Sequence, residues 1–139
     1  MTKHTPQETL ATLQKAFSTG DLNLALTTMT ADVFWNITGP ADVPYLGVFY
    51  GHDGFSRFWW LLNQTVQFHD ASTHTTLFGD QTAVALGGES GTSKATGAPY
   101  HYDWAVEYRF NEAGLITRMR QYFSRQKARC AHASKKFST

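Results

Sequence analysis

The chain has 139 residues, 42% hydrophobic and 17% charged, with a net charge of +1. That is the length of one domain, 1–139, with enough apolar material for an ordinary core. The even charge balance argues against nucleic acid or an anionic membrane as the main partner. A single cysteine, Cys130, excludes an internal disulfide and reads as an incidental surface thiol in the basic tail that follows about residue 125. Residues 1–19 hold no apolar core segment, and no run approaches the roughly 20 residues that span a bilayer. The expectation is a cytoplasmic protein.

Thr5 to Ser18 predicts a helix. Thr5 can cap it, Pro6 suits the first turn, Glu8 completes a capping box, and Leu10, Leu13 and Phe17 form a stripe. Gly20 stops it. Asp21 caps a second helix, Leu22 to Met29. After a break at residues 30–32, Val33 to Thr38 predicts a short strand. It would carry Phe34, Asn36 and Thr38 on one face and Val33, Trp35 and Ile37 on the other. Gly39 to Tyr50 reads as a loop carrying Tyr45, Phe49 and Tyr50. Gly51 to Phe68 predicts a third helix with Phe55, Phe58, Trp59, Leu62 and Val66 on one face and Trp60 off it.

Four strands follow. Ala71 to Phe78 and Thr82 to Thr92 flank a tight turn, with a bulge expected at Gly87-Gly88. Tyr100 to Phe110 alternates strictly, placing Tyr100, Tyr102, Trp104, Val106, Tyr108 and Phe110 against His101, Asp103, Ala105, Glu107 and Arg109. A hairpin turn at residues 111–114 leads to Leu115 to Ser124. The order is helix, helix, strand, helix, then consecutive antiparallel strands, which is an α+β arrangement. One long bent sheet with three helices on its concave side makes a cone, and the open end of a cone is a natural pocket.

The stretches GDLNLALTTMTADVFWNITGP, GVFYGHDGFSRFW and FNEAGLITRMRQYF resemble the nuclear transport factor 2-like superfamily, which shares the cystatin-like cone. The nearest branch is the SnoaL-like group, related to polyketide cyclases and ketosteroid isomerases. The resemblance covers the chain to about Phe123. It implies three N-terminal helices packed on the concave face of a strongly curved, mixed but mostly antiparallel sheet. It also implies a hydrophobic pocket and frequent homodimers through the outer sheet face. The positions that hold the ketosteroid isomerase acids and tyrosine fall on Val106, Thr38 and Leu13, none of which can do that work. In epoxide-hydrolase-like members a Tyr and an Asn on the first strand hold a water. Here those positions are Phe34 and Asn36, and the last-strand acid falls on Gln121.

With the resemblance setting which face points inward, the expected pocket comprises Phe17, Phe34, Thr38, Tyr45, Tyr50, Phe55, Phe58, Trp59, Leu86, Tyr102, Trp104, Val106, Tyr108, Met119 and Phe123. Met29 and Ser90 join the same inner surface. Such a lining suits a flat hydrophobic carbonyl compound. The expected catalytic residues are Asp103 as base, if a bulge near Pro99 turns it inward, and Asn36 and Gln121 to hold an oxygen. Glu89 is placed with the charged outer face unless a bulge at Gly87-Gly88 turns it in. The reaction expected is proton transfer, as in isomerisation, cyclisation or dehydration. The alternative is a ligand-binding or dimerisation module without catalysis. No metal is expected, because the six histidines lack ligand spacing. No cofactor is expected either, because Gly87 to Gly91 lies in a strand and opens no helix.

Overall fold

A computed structural model describes residues 3–125, with the backbone alone at Arg125. Cys130, His132 and the basic tail lie outside the described residues. Helix α1 (Pro6–Thr19) begins at the capping box: the Thr5 hydroxyl accepts from the Glu8 amide and the Glu8 carboxylate accepts from the Thr5 amide. Two amides that a helix start leaves without partners are thereby satisfied. Gly20 closes the helix in the left-handed region at φ 71°.

Helix α2 (Leu22–Leu26) is shorter than predicted. Thr27 and Thr28 turn their hydroxyls back onto the carbonyls of Leu24 and Ala25, and such local bonds compete with helix continuation. Met29 instead starts strand β1 (Met29–Thr38). The predicted loop contains a further strand, β2 (Gly47–Tyr50), paired antiparallel with β1. Helix α3 (Gly51–Thr65) stops before its predicted end, because Val66 is captured by the β ladder opposite Ser93. Strands β3 (Val66–Gly79), β4 (Thr82–Ser93), β5 (Pro99–Phe110) and β6 (Ile116–Arg125) complete the elements of the described residues.

The six strands form one mixed, open sheet in the order β2-β1-β6-β5-β4-β3. Every neighbouring pair is antiparallel except β1 with β6, which is parallel. The three helices and this sheet make the α+β cone expected of the superfamily. We call the face under the helices inner and the opposite face outer.

The parity of β1 is set by α3. Trp35 is only 2% exposed and its ring lies 4.7 Å from Phe55 and 6.0 Å from Phe58. Val33, Trp35 and Ile37 therefore face inward. Phe34, Asn36 and Thr38, predicted to line the pocket, face outward. The apolar stripe of α3 is satisfied by the larger, wholly apolar set. Phe34 packs on the outer face against Tyr50, with the Arg118 guanidinium 5.0 Å above its ring.

This parity has a measurable consequence. Trp35→Ala should cost about 3–5 kcal/mol in urea unfolding, the usual loss for a buried aromatic. Phe34→Ala, on the outer face, should cost less than half of that. Equal losses would contradict the assignment.

Candidate functional site

Directly opposed residues of antiparallel strands share one face of the sheet. The β4–β5 register runs unbroken from Thr82 opposite Arg109 to Thr92 opposite Pro99. Ala83, Ala85, Gly87, Glu89 and Gly91 thus lie on the same face as Tyr108, Val106, Trp104, Tyr102 and Tyr100. The β5–β6 register adds Met119, Gln121 and Phe123, opposite Tyr108, Val106 and Trp104. Met119 and Val106 are buried under the helices, so this is the inner face.

The bulge predicted at Gly87-Gly88 is not there. The register shifts lie on β3, at His69 and His74. Without a bulge in β4, Leu86 and Ser90 point outward and Glu89 points inward, the reverse of the sequence expectation. The small residues of β4 have a steric reason. A side chain at Gly87 would run into the Trp104 ring, and one at Gly91 would come within 2.8 Å of the Tyr100 hydroxyl. Bare backbone on β4 is what lets the rings of β5 lean across it.

Glu89 is the acid that this geometry buries. It is 6% exposed. The Tyr45 hydroxyl, from the segment between β1 and β2, donates to Glu89 Oε2 at 3.1 Å. The Tyr100 hydroxyl donates to the same oxygen at 3.1 Å. Tyr45 is held by ring contacts with Phe58 and Phe123, and Tyr102 lies against both Tyr100 and Phe123. Burial disfavours the charged carboxylate and pushes Glu89 up to about 7, against the pull of its two hydrogen bonds. The same burial, with Glu89 beside them, holds Tyr45 and Tyr100 above the usual phenol range. The result is one carboxyl that changes charge near neutrality, flanked by two phenols that stay protonated. That is the equipment of a proton-transfer site.

The other predicted residues divide between the two faces. Tyr45, Phe55, Phe58, Tyr102, Val106, Met119 and Phe123 are buried in the inner cluster. Phe17 and Trp59 stack at 5.1 Å beside it. Trp104, Tyr108 and Gln121 point inward yet stay half-buried. Burial pushes the Tyr108 phenol up. Tyr50 is 66% exposed and Leu86 43%, both away from the inner cluster. Asp103 faces outward, opposite Gly88, with His101 Nε2 3.4 Å from its carboxylate. No bulge near Pro99 reverses it, since the register there is continuous. Asn36 is likewise outward.

Two residues of the cluster escaped prediction in this role, Glu89 and Tyr100. The signal for Glu89 was present. Ala83, Ala85, Gly87 and Gly91 alternate as small residues, opposite Tyr108, Val106, Trp104 and Tyr100, and Glu89 shares their parity. Among the described residues, no three His, Cys, Asp or Glu side chains gather as a metal site. No helix among them is long and apolar enough to cross a membrane.

Comparison with known proteins fixes the family. A SnoaL-like domain profile matches residues 10–119. The chain belongs to the SnoaL-like domain family. Solved structures agree with this SnoaL-like fold. One is a candidate isomerase from Rhodopseudomonas palustris, at 21% identity, covering 90% of this chain and 93% of that one with a TM-score of 0.72. Another is a nuclear transport factor 2-like protein from Burkholderia thailandensis, at 20% identity, 93% and 98% coverage and a TM-score of 0.78. A third is TerC co-crystallised with polyporic acid, at 18% identity, 92% and 95% coverage and a TM-score of 0.74. No protein of curated function matches the chain.

The burial of Glu89 predicts a pH dependence of stability. Its folded value of about 7 exceeds the ordinary 4.5. Between those two values the unfolded chain has lost the proton and the folded chain still holds it, so stability falls as pH rises. The fall amounts to about 3 kcal/mol at most and levels off above pH 7. Glu89→Gln should remove that decline from urea unfolding measured between pH 4.5 and 8.

Proposed function

We propose that this SnoaL-like protein is a proton-transfer enzyme, an isomerase, cyclase or dehydratase, acting on a hydrophobic carbonyl compound. The observation that carries this reading is the Glu89 carboxyl, buried among rings and poised near neutral pH. In its charged form Glu89 takes a proton from the carbon beside a carbonyl. In its neutral form it returns the proton to another carbon or to the oxygen. Tyr45 and Tyr100 position the carboxyl and stabilise its charge. On this reading the Tyr102 hydroxyl, on the same wall, donates to the enolate oxygen. Trp104 and Tyr108 offer a flat apolar surface for the rest of the substrate, and Gln121 a polar group farther along it. The candidate isomerase from Rhodopseudomonas palustris and TerC with its polyporic acid lend this reading support from the same fold.

Asp103 has no part in the reaction on this reading, because it stands on the opposite face. The test is exchange of the α-protons of 2-tetralone for deuterium, followed by NMR. The rate should rise with pH through about 7, as Glu89 ionises. Glu89→Gln should lower it about 100-fold or more, within the range general base catalysis supplies, while Asp103→Asn leaves it unchanged. Tyr100→Phe removes a bond that favours the carboxylate, so the midpoint should move to higher pH. Loss of exchange in Asp103→Asn but not in Glu89→Gln would overturn the assignment.

We infer too that two copies pair through the outer face. It exposes Val84, Leu86 and Tyr122 beside the charges of β5 and β6, a mixture suited to a self-complementary contact. Sedimentation should give a dimer for the wild type and a monomer for Leu86→Glu. A wild-type monomer would refute the pairing.

A further inference from the structure

β3 is the bare strand of the inner wall. From Gln67 to Thr75 every residue is exposed, so neither face is covered there. Phe68, Ala71 and Thr73 belong to the inner face, because they stand opposite Gly91, Glu89 and Gly87. Behind them Ala85, Gly87 and Gly91 carry a methyl group at most, and the Ser72 and Gln67 carbonyls of β3 close over Gly87 and Gly91, with Ala71 opposite Glu89 between them. Moving inward from this side, the first groups met are the Trp104 ring, lying across Gly87, and Glu89 itself. Ala71 is the direct partner of Glu89 across the ladder. From the side of β6 the approach is shut, because Tyr102, Phe123 and Tyr45 are in successive ring contact at 5.5 and 5.6 Å.

One side-chain hydrogen bond crosses the open side. Gln14 Nε2 of α1 donates to Thr73 Oγ1 at 3.4 Å, between exposed residues. That is long for such a bond, so it makes a weak latch.

We infer that the ligand reaches Glu89 sideways, over Ala71 and Thr73 and beneath Gln14, and that the size of residue 71 decides which ligands are admitted. The methyl group of Ala71 leaves room for a flat ring system to slide between α1 and the sheet with its face on Trp104. Its leading edge then carries an oxygen or an acidic C–H to Glu89. The ligand class is a flat molecule of two or three rings with a polar group at one end. The destination of this route rests on the reading of Glu89 given above. The route itself is tested by binding, which requires no turnover.

The probe is 1-naphthol, which has two rings and one hydroxyl, titrated against 15N-labelled protein. Binding is followed at the side-chain N–H of Trp104. The wild type should bind. Ala71→Met should weaken binding several-fold and Ala71→Trp at least tenfold, while Asp80→Trp, at the exposed turn between β3 and β4, leaves it unchanged. Gln14→Ala should speed association without loss of affinity. Residue 71 is exposed, and a spectrum unchanged away from the site would confirm that each variant is folded. Wild-type affinity in both Ala71 variants, or no binding by the wild type, would overturn the route. A protein that binds naphthol by this route but exchanges no protons of 2-tetralone would keep the route and lose the proposed reaction.

Discussion

The β4–β5 register is the constraint on which the inner face depends. Side chains alternate with a period of two, so a slip of one residue would exchange every inner group for an outer one. The pairing holds its register from end to end, and the glycines of β4 are part of the reason. A side chain at Gly87 or Gly91 would collide with a β3 carbonyl and with the Trp104 or Tyr100 ring. Trp104 over Gly87 and Tyr100 over Gly91 act as two pegs, and Glu89, midway between those glycines, is carried inward by them. The same pegs deliver the Tyr100 hydroxyl to the carboxyl.

Two acids on neighbouring strands show how environment separates chemically similar groups. Glu89 and Asp103 are one pairing position apart and on opposite faces. Asp103 has solvent and His101 beside it. Glu89 has rings and two phenols. A carboxyl removed from water holds its proton to higher pH unless enough donors compensate, and here two do so only in part. The difference between a solvent-facing carboxylate and a buried carboxyl held by two phenols is made by which way one strand is turned.

Much of the architecture was legible in the chain itself. The capping box, the α3 stripe, the strict alternation of β5 and the resemblance to the SnoaL-like group all agreed with the fold. What was not legible followed from tertiary competition. For β1 the alternation gave two faces without saying which one α3 would claim, and Trp35 settled it through contacts some 20 residues away in sequence, a separation that periodicity cannot see. For β4 the pair Gly87-Gly88 read as a bulge because glycine often marks one. In the sheet those glycines instead make room for rings, and the irregularities fell to His69 and His74 on β3. Tyr45 lay in a segment without a repeating pattern, so nothing local tied it to a residue 44 positions later.

The single parallel pairing has a consequence for how the chain is made. β6 lies between β1 and β5, and the Thr30 hydroxyl reaches a carbonyl 86 residues on. Contacts of such separation slow folding. Until β6 inserts as the middle plank, β1 and β5 each have one edge without its final partner. Those edges belong to the strands that carry Trp35 and Tyr102, so the unfinished chain offers a sticky gap to other chains. In the finished sheet both of those edges are paired with β6. Its rims are β2, which is short, and β3, which is kinked twice by its extra histidines. A nascent protein of this design is safest when its last strand arrives quickly.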